Sequence, residues 1–343
     1  MKKTFKAGFT LVELLVVISI IGMLAGLLLP AVQNAREMGR RTTCTNNQKN
    51  IALALYEFQS TKGNFPQFRI VGDASYKGVC AEDFYMDGDG VQWTVLGWVP
   101  QVFPFMEQTQ LFDVVQSEGT SAYTNVNIPS FQCPSAGGSG ENLCNYVANC
   151  GGVDISDGDK ALGKAVGMMT DGLNNLAKKV SIDDVKDGTT NTLLSTENMQ
   201  AGTIWASQEY LNGFCWDVQN LANYNSNTKL YADGFIYAKN YGKVFPIQPY
   251  DESYPLPMKL NGGRDEEFSQ MAFNLNTEAM AFMYAWARPS SSHPGIVVAS
   301  MVDGSVRTVN EGVNWEVFAR AMAPNDKAAG FDSKPLDVSK LGN

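Results

Sequence analysis

The chain has 343 residues, 44% of them apolar and 18% charged, and it carries a net charge of −9 at pH 7. A chain this long and this apolar can bury a sizeable core, so the composition excludes a disordered protein. The negative charge would repel a phosphate backbone, so we expect no binding of nucleic acid.

The chain begins with a short basic segment, MKKTFKAG, followed by an almost wholly apolar run over residues 9–30. A helix over these 22 residues is about 33 Å long, enough to cross the hydrocarbon core of a bilayer. The lysines place the N-terminal end in the cytoplasm and the rest of the chain outside it. An ordinary secretory signal peptide is the alternative, but its apolar region is shorter, and this run continues into an amphipathic helix.

One carboxylate, Glu13, lies inside this apolar run. A charged side chain at the centre of a bilayer costs on the order of 2.5–3.5 kcal/mol, so Glu13 should have a partner. Near the interface, the N-terminus of the helix alone would ease that cost. Alternatively, a cut between Gly8 and Phe9 would create a free α-amino group four residues away, with which Glu13 would form a salt bridge.

The segment Gly8-Phe9-Thr10-Leu11-Val12-Glu13 resembles the cleavage and methylation site of type IV prepilins and type II secretion pseudopilins. The resemblance implies that a prepilin peptidase removes residues 1–8 as a leader and methylates the amine of Phe9. It also implies that Glu13 pairs with the amine of a neighbouring copy, or of a related pilin-like subunit, as filaments assemble. Pro30 matches the proline that kinks the helix in that family.

The resemblance further implies a single span over residues 9–30, held in the inner membrane until assembly. Residues 31–63 continue this helix as an amphipathic stem, giving one helix of about 50 residues. The apolar side chains of the stem recur at helical spacing and should dock on a globular body. They are Ile51, Ala52, Leu55, Tyr56 and Phe58. The polar stretch over residues 36–49 could fray or bend.

Between residues 64 and 324, short apolar runs alternate with clusters of Gly, Asn, Asp, Pro and Ser. This pattern is typical of β-strands joined by turns. We therefore expect an α+β fold in which the long N-terminal transmembrane and stem helix packs on a mostly antiparallel β domain outside the cytoplasm, the lollipop shape of pilins. Residues 325–343 are polar and should form a tail.

Several segments resemble a narrower family of prepilin-like proteins that share a large C-terminal domain of unknown function, sometimes labelled extracellular solute-binding. The matching segments are residues 40–47, 65–66, 97–98, 104–108, 133–135, 145–146, 187–192, 292–295 and 303–306. This family has no assigned activity, so the resemblance implies fold and location more than chemistry. A subunit of a pilus-like or pseudopilus-like filament is the expected function. The alternative is a membrane-anchored binding protein that does not polymerise.

The last of these segments form a motif in which nine residues separate His293 from Asp303 and Gly304. An Asp-Gly pair between two strand-like runs predicts a hairpin with a type I′ turn. His293 should then lie just before the first strand, roughly 30 Å from the turn. The two ends of the motif should therefore not share one small site. We expect a structural role for His293, in which it caps or hydrogen-bonds the backbone of a neighbouring loop; contact with a ligand or partner is the alternative.

Six cysteines are present, and outside the cytoplasm cysteines can form disulfides. Cys133, Cys144 and Cys150 would close short loops, so we expect at least one disulfide among these three. Cys44 on the stem is either free or tied to the body. The chain has no Cys-x-x-Cys pair and a single histidine, so a zinc site is not expected.

Two Asp-Gly loops are candidates for binding Ca²⁺, one with Asp83, Asp87 and Asp89 and one over residues 154–159. Alternating Asp and Gly can wrap oxygen atoms around Ca²⁺, although the same pattern is ordinary turn chemistry. No other cofactor is expected.

We expect no enzymatic activity, because the chain has no Gly-x-Ser-x-Gly motif and one histidine. A cluster of Tyr and Trp over residues 205–254 could bind a sugar or a surface, or pack in a core.

Overall fold

The computed structural model describes the long N-terminal helix and much of the body that packs on it. The described residues are 11–71, 84–86, 92–118, 126–136, 143–153, 164, 167–170, 172, 179–199, 204, 213–217, 289–313, 315–328 and 336–342.

A single helix, α1 (Leu11–Lys62), opens the structure, as the sequence predicts. Pro30 lies inside this helix and does not end it. The polar stretch over residues 36–49 is helical throughout, so the fraying that its composition suggested does not occur. At the other end, Gly63 takes a positive φ of 79°, and its N–H donates to Gln59 O at 2.8 Å. A glycine in this conformation ends the helix, because other residues adopt it only with strain.

A small antiparallel sheet and two short helices follow α1. The sheet contains β1 (Arg69–Val71), β2 (Phe84–Met86) and β3 (Gln92–Gly97) in the order β1-β3-β2. The helices are α2 (Trp98–Val102) and α3 (Thr109–Glu118), joined by a 3₁₀ turn over Phe103–Met106. Trp98 and Phe103 both pack edge to face on Phe131. The ring centroid of Phe131 lies 6.2 Å from that of Trp98 and 6.5 Å from that of Phe103. These buried aromatic rings form part of the core into which α1 packs.

A five-stranded sheet forms the main part of the described body. Its strands are β4 (Tyr146–Val153), β5 (Leu193–Glu197), β6 (Gly213–Asp217), β7 (Ile296–Met301) and β8 (Val306–Asn310), and a helix, α4 (Trp315–Met322), follows. The strand order is β6-β4-β5-β7-β8. All neighbours are antiparallel except β4 and β6, which are parallel. The predicted α+β fold, a stem helix on mostly antiparallel sheets, is confirmed.

The stem docks through a narrower stripe than its sequence predicts. Ile51, Ala52 and Leu55 are buried as expected, whereas Tyr56 is 41% exposed and faces away from the body. The C-terminal segment also differs from the loose polar tail expected for it. Leu341, in a 3₁₀ turn over Val338–Leu341, is buried, so this part of the segment packs on the body.

The strands β7 and β8 form the predicted hairpin, but the turn is of a different type. A type I′ turn needs positive φ at both central residues. Gly304 has a φ of 78°, but Glu107 is the one non-glycine residue with a positive φ in the described ranges, so Asp303 does not meet that requirement. The turn is closed by hydrogen bonds from Gly304 N to Met301 O at 2.9 Å and from Met301 N to Ser305 O at 2.8 Å.

Candidate functional site

The N-terminal part of α1 presents an apolar surface that the body does not cover. Every residue from 11 to 36 is exposed, and the large apolar side chains from Leu11 to Leu29 are between 45% and 78% exposed. Within the described residues, α1 is the one helix long and apolar enough to cross a membrane, with a mean hydropathy of 2.6 over its most apolar window. A signal sequence near an N-terminus can be equally long and apolar. The assignment of this helix to a membrane therefore rests on its apolar surface together with the motif at its start.

Three residues of this exposed part are suited to contacts with another helix. Glu13 lies in the first turn of α1, where the helix dipole favours a carboxylate. Gly22 and Gly26 are one turn apart, and no atom lies within 4 Å of the position that a Cβ would take on either. Small residues at this spacing allow helices to approach closely in a membrane. Gly8 and Phe9 lie outside the described residues, so cleavage between them stays a prediction.

The first buried contacts between α1 and the body form around His293. Its side chain is fully buried, with Nδ1 2.6 Å from Glu37 Oε1 on α1 and Nε2 3.5 Å from Glu197 Oε1 at the end of β5. Ser135 Oγ donates to both oxygens of Glu37 at 3.1 Å. Val298 N donates to Glu197 Oε2 at 3.0 Å. The sequence predicts a hydrogen bond from His293 to loop backbone, whereas its ring contacts two carboxylates from different elements.

The charges around His293 favour its protonated form. Burial disfavours the imidazolium and acts to lower the pKa of His293. Hydrogen bonds and negative charge from Glu197, and then from Glu37, act in the opposite direction and outweigh burial, so the pKa of His293 is raised above its usual value. When it is protonated, His293 therefore pairs with two carboxylates, one on the stem and one in the sheet.

A disulfide joins Cys44 on α1 to Cys133 in the body. The expectation of a bond among Cys133, Cys144 and Cys150 is therefore wrong for Cys133, whose partner lies 89 residues earlier in the chain. Cys144 is a buried free thiol that donates to Tyr146 O at 3.0 Å. Burial raises the pKa of this thiol to about 12, so it is protonated and unreactive at neutral pH.

Three polar residues in consecutive positions on α1 bind different parts of the body. Asn47 Nδ2 donates to Gln132 O at 2.9 Å, close to the disulfide. Gln48 is fully buried, and its Nε2 donates to Ser195 Oγ on β5 at 2.8 Å. Lys49 Nζ donates to Gly304 O at 2.6 Å, at the tip of the hairpin.

Glu37, Cys44 and Gln48 are spaced by seven and four residues, the spacing that places side chains on one face of a helix. Ile51 and Leu55 of the apolar stripe follow Gln48 at intervals of three and four residues, so they lie on the same face of the helix. A search for apolar residues alone therefore misses the first half of this docking face, which can be recognised from the sequence only by following the helical period through polar residues.

The motif that begins at His293 and ends at Gly304 follows the stem. Its first residue contacts Glu37, and its last contacts Lys49, twelve residues further along α1. Twelve residues of helix cover roughly 18 Å, and the six residues of β7 cover roughly 20 Å. The strand between the two ends of the motif is thus about as long as the stretch of α1 between Glu37 and Lys49.

The segments that carry the family resemblance meet at this interface. Tyr146 Oη donates to Cys44 O at 3.4 Å, and Cys133 N donates to Asn145 Oδ1 at 3.0 Å. At the other end of the interface, Asp303 N donates to Thr189 O at 3.1 Å. Residues that are far apart in the chain therefore lie together at, or next to, the contact between α1 and the body.

Other predicted sites cannot be located in the structure. The candidate calcium ligands Asp83, Asp87 and Asp89 lie outside the described residues, as does the loop over residues 154–159. The same holds for most of the aromatic cluster over residues 205–254. Binding of Ca²⁺ or of a sugar therefore stays a prediction.

Comparisons with known proteins divide the chain within α1, a few residues before the docking face begins at Glu37. Residues 3–29 match the prokaryotic N-terminal methylation motif, which covers the exposed apolar part of α1. The motif and the helix together define a prepilin-like protein with a membrane-anchoring helix. Residues 33–316 match the family described as protein of unknown function (DUF1559), and the chain belongs to this family. No curated protein and no solved structure matches the chain.

Proposed function

We propose that this protein is a structural subunit of a pilus-like or pseudopilus-like filament. The observation that carries the proposal is the exposed apolar surface of α1 before Glu37, joined to a prokaryotic N-terminal methylation motif. An apolar surface of this size on a folded protein needs a partner, which is either lipid or other helices of the same kind. In a filament subunit this surface contacts lipid before assembly and the helices of other subunits afterwards.

Before assembly, residues 9–30 span the inner membrane, with the basic leader in the cytoplasm and the body outside. A prepilin peptidase cuts after Gly8 and leaves Phe9 as the N-terminal residue. During assembly the apolar helices leave the bilayer and pack on one another, with Glu13 of one copy paired to the amine of Phe9 in the next. This pairing compensates the cost of a carboxylate in an apolar environment.

The contacts around His293 suit a structural role and not a catalytic one. The imidazole is fully buried, and its two nitrogen atoms face Glu37 and Glu197, so a substrate has no access to it. Together with the disulfide, these contacts fix the body at one orientation on α1. Identical subunits would then carry their bodies at equivalent positions along a filament.

Cleavage after Gly8 is tested with Gly8→Val. This variant should remain full length, because a bulky side chain at the cut site blocks the peptidase, whereas the control Ala7→Val should be processed normally. N-terminal sequencing of the wild-type protein should begin at Phe9, carrying an N-methyl group. A mature protein that begins at Met1 would contradict this prediction.

The role of Glu13 is tested with Glu13→Val. The change makes the span more apolar, so insertion and cleavage should be unaffected, while the number of filaments seen by electron microscopy of sheared material should fall at least tenfold. Ser19→Val is the matched control, because it adds an apolar side chain to the same exposed part of α1 and keeps the carboxylate. Normal filaments from Glu13→Val would show that the salt bridge is not needed.

A membrane-anchored protein that does not polymerise gives a different result. In cells that also contain the peptidase and the assembly machinery, such a protein would be cut after Gly8 and would stay in the membrane fraction, without filaments. That result from the wild-type chain would overturn the proposed function while leaving the cleavage prediction intact.

A further inference from the structure

Four side chains of metal-binding type meet where α1 docks on the body. They are Cys44, Cys133, Glu197 and His293, and one ligand atom of each lies within 4.8 Å of the others. Cys133 Sγ is 3.7 Å from His293 Nε2, and Glu197 Oε1 is 3.5 Å from the same nitrogen. In a tetrahedral zinc site with bonds of about 2.0–2.3 Å, neighbouring ligand atoms are roughly 3.3–3.8 Å apart. These two separations already have the values that zinc requires.

Glu197 has an oxygen suited to a cation. Its Oε2 accepts from Val298 N, whereas the buried Oε1 has only the long contact with His293 Nε2 at 3.5 Å among the described residues. A buried carboxylate oxygen without a short hydrogen bond is costly, since burial has removed its water. This oxygen faces His293 Nε2 and the two sulfur atoms.

Glu37 holds the imidazole in the orientation that a metal ligand needs. Its Oε1 is 2.6 Å from His293 Nδ1, so that nitrogen carries the proton. The other nitrogen, Nε2, then points at Cys133 and Glu197. A histidine that binds a metal commonly donates its second N–H to a carboxylate, which fixes the ring and its tautomer.

We propose that Cys44, Cys133, Glu197 and His293 form a Zn²⁺ site when the disulfide between the two cysteines is reduced. A dithiol supplies two electrons and two protons, the S–S bond breaks, and the dithiol becomes a disulfide. The two thiols release their protons as they bind Zn²⁺, and a protonated His293 also releases its Nε2 proton to the solvent, so that it binds as the neutral imidazole through Nε2. Two sulfur ligands with one imidazole favour Zn²⁺ over Mg²⁺ or Ca²⁺.

The site is structural and not catalytic. All four ligands are buried, so no coordination position is open to water or substrate. Disulfide and zinc are alternative links between the same two cysteines, and either one ties α1 to the body. The stem would therefore stay docked under oxidising and under reducing conditions. This inference does not depend on whether the protein forms filaments.

The test uses the full-length protein in detergent, from which all metal has been removed. The protein is reduced with a dithiol, and the dithiol is then removed under anaerobic conditions so that the cysteines stay reduced. Titration with Co²⁺ should produce the visible absorption bands of a tetrahedral cobalt–thiolate site, and these bands should saturate at one Co²⁺ ion per chain. Addition of Zn²⁺ should abolish the bands, because Zn²⁺ displaces Co²⁺. The oxidised protein should give none. Circular dichroism during the titration reports whether metal binding restores any structure lost on reduction.

Variants separate this site from other cysteines. Cys133→Ala should lose the bands, whereas Cys144→Ala should keep them, because Cys144 is a buried thiol outside the cluster. Glu37→Gln keeps all four ligands and should weaken Co²⁺ binding roughly tenfold or more. A reduced protein that binds no Co²⁺, or a Cys133→Ala variant that binds it unchanged, would overturn the proposal.

Discussion

At the scale of single residues, the loss of His293 should destabilise the oxidised protein more than the loss of one hydrogen bond. In His293→Ala, the buried Glu197 and the half-buried Glu37 both lose the imidazole that lies between them. Removing one partner of a buried ion pair costs about 3–5 kcal/mol. Urea denaturation should show this decrease in the free energy of unfolding.

Two variants identify the cause of that decrease. Ser292→Ala changes the neighbouring residue, whose hydroxyl contacts only the sulfur of Met199 among the described residues, and should cost less than about 1 kcal/mol. The double variant His293→Ala/Glu197→Gln should recover part of the lost stability, because it removes the unpaired charge. Equal stability of the single and double variants would show that the decrease comes from lost packing.

The residues that sequence reasoning found and those it missed differ in how far their partners lie along the chain. Gly304 was recognisable because a turn is a local feature. The partners of His293 and Cys133 were not, since Glu37 and Cys44 lie on a helix far earlier in the sequence. The expectation of no zinc site rested on the absence of a Cys-x-x-Cys pair and on a single histidine, and such signals do not include side chains that only the fold brings together.

At the scale of elements, the tip of the hairpin depends on the backbone conformation of Gly304. Its φ of 78° lies in a region that β-branched residues rarely adopt. Gly304→Val should therefore lower the free energy of unfolding by about 1–3 kcal/mol. It should also weaken the contact between the hairpin and Lys49.

Gly342→Val is the matched control for Gly304→Val. Both glycines have their nearest atom at 3.7 Å from the position of a Cβ, but Gly342 has an ordinary φ of −99°. The control should therefore be close to wild type in urea denaturation. Similar decreases for both variants would mean that the added volume, and not the positive φ, is responsible.

The elements predicted best were those whose signal extends over many residues. The length of α1 follows from a continuous helical pattern and from Gly63 at its end. The hairpin β7–β8 follows from two strand-like runs around an Asp-Gly pair. The predicted turn type was wrong, and the local sequence does not reveal that the turn is tied to another segment: Val302 N donates to Thr192 O and Asp303 N donates to Thr189 O.

At the scale of the whole molecule, the body should fold without the apolar part of α1. None of residues 11–36 is buried, whereas the docking face begins with Glu37 and includes Cys44. A chain that begins at residue 31 should therefore be a monomer without detergent in size-exclusion chromatography. Its free energy of unfolding should be within about 0.5 kcal/mol of the full-length value, as for changes away from packed residues.

A second truncation serves as the control. A chain that begins at residue 45 lacks Glu37 and Cys44, so it cannot form the disulfide or the pair with His293. It should be markedly less stable in urea. If the chain that begins at residue 31 is equally unstable, then the exposed helix contributes to folding of the body.

The bond between Cys44 and Cys133 also decides how the molecule responds to a pulling force. If α1 is held and the end of the body is pulled, the tension runs along the helix to Cys44 and crosses the sulfur atoms to Cys133. Residues 45–132 then form a covalently closed loop that carries none of the tension. Breaking the S–S bond would release this loop of 89 residue steps, or roughly 300 Å of extended chain. While that bond is intact, a large part of the body cannot be stretched at all.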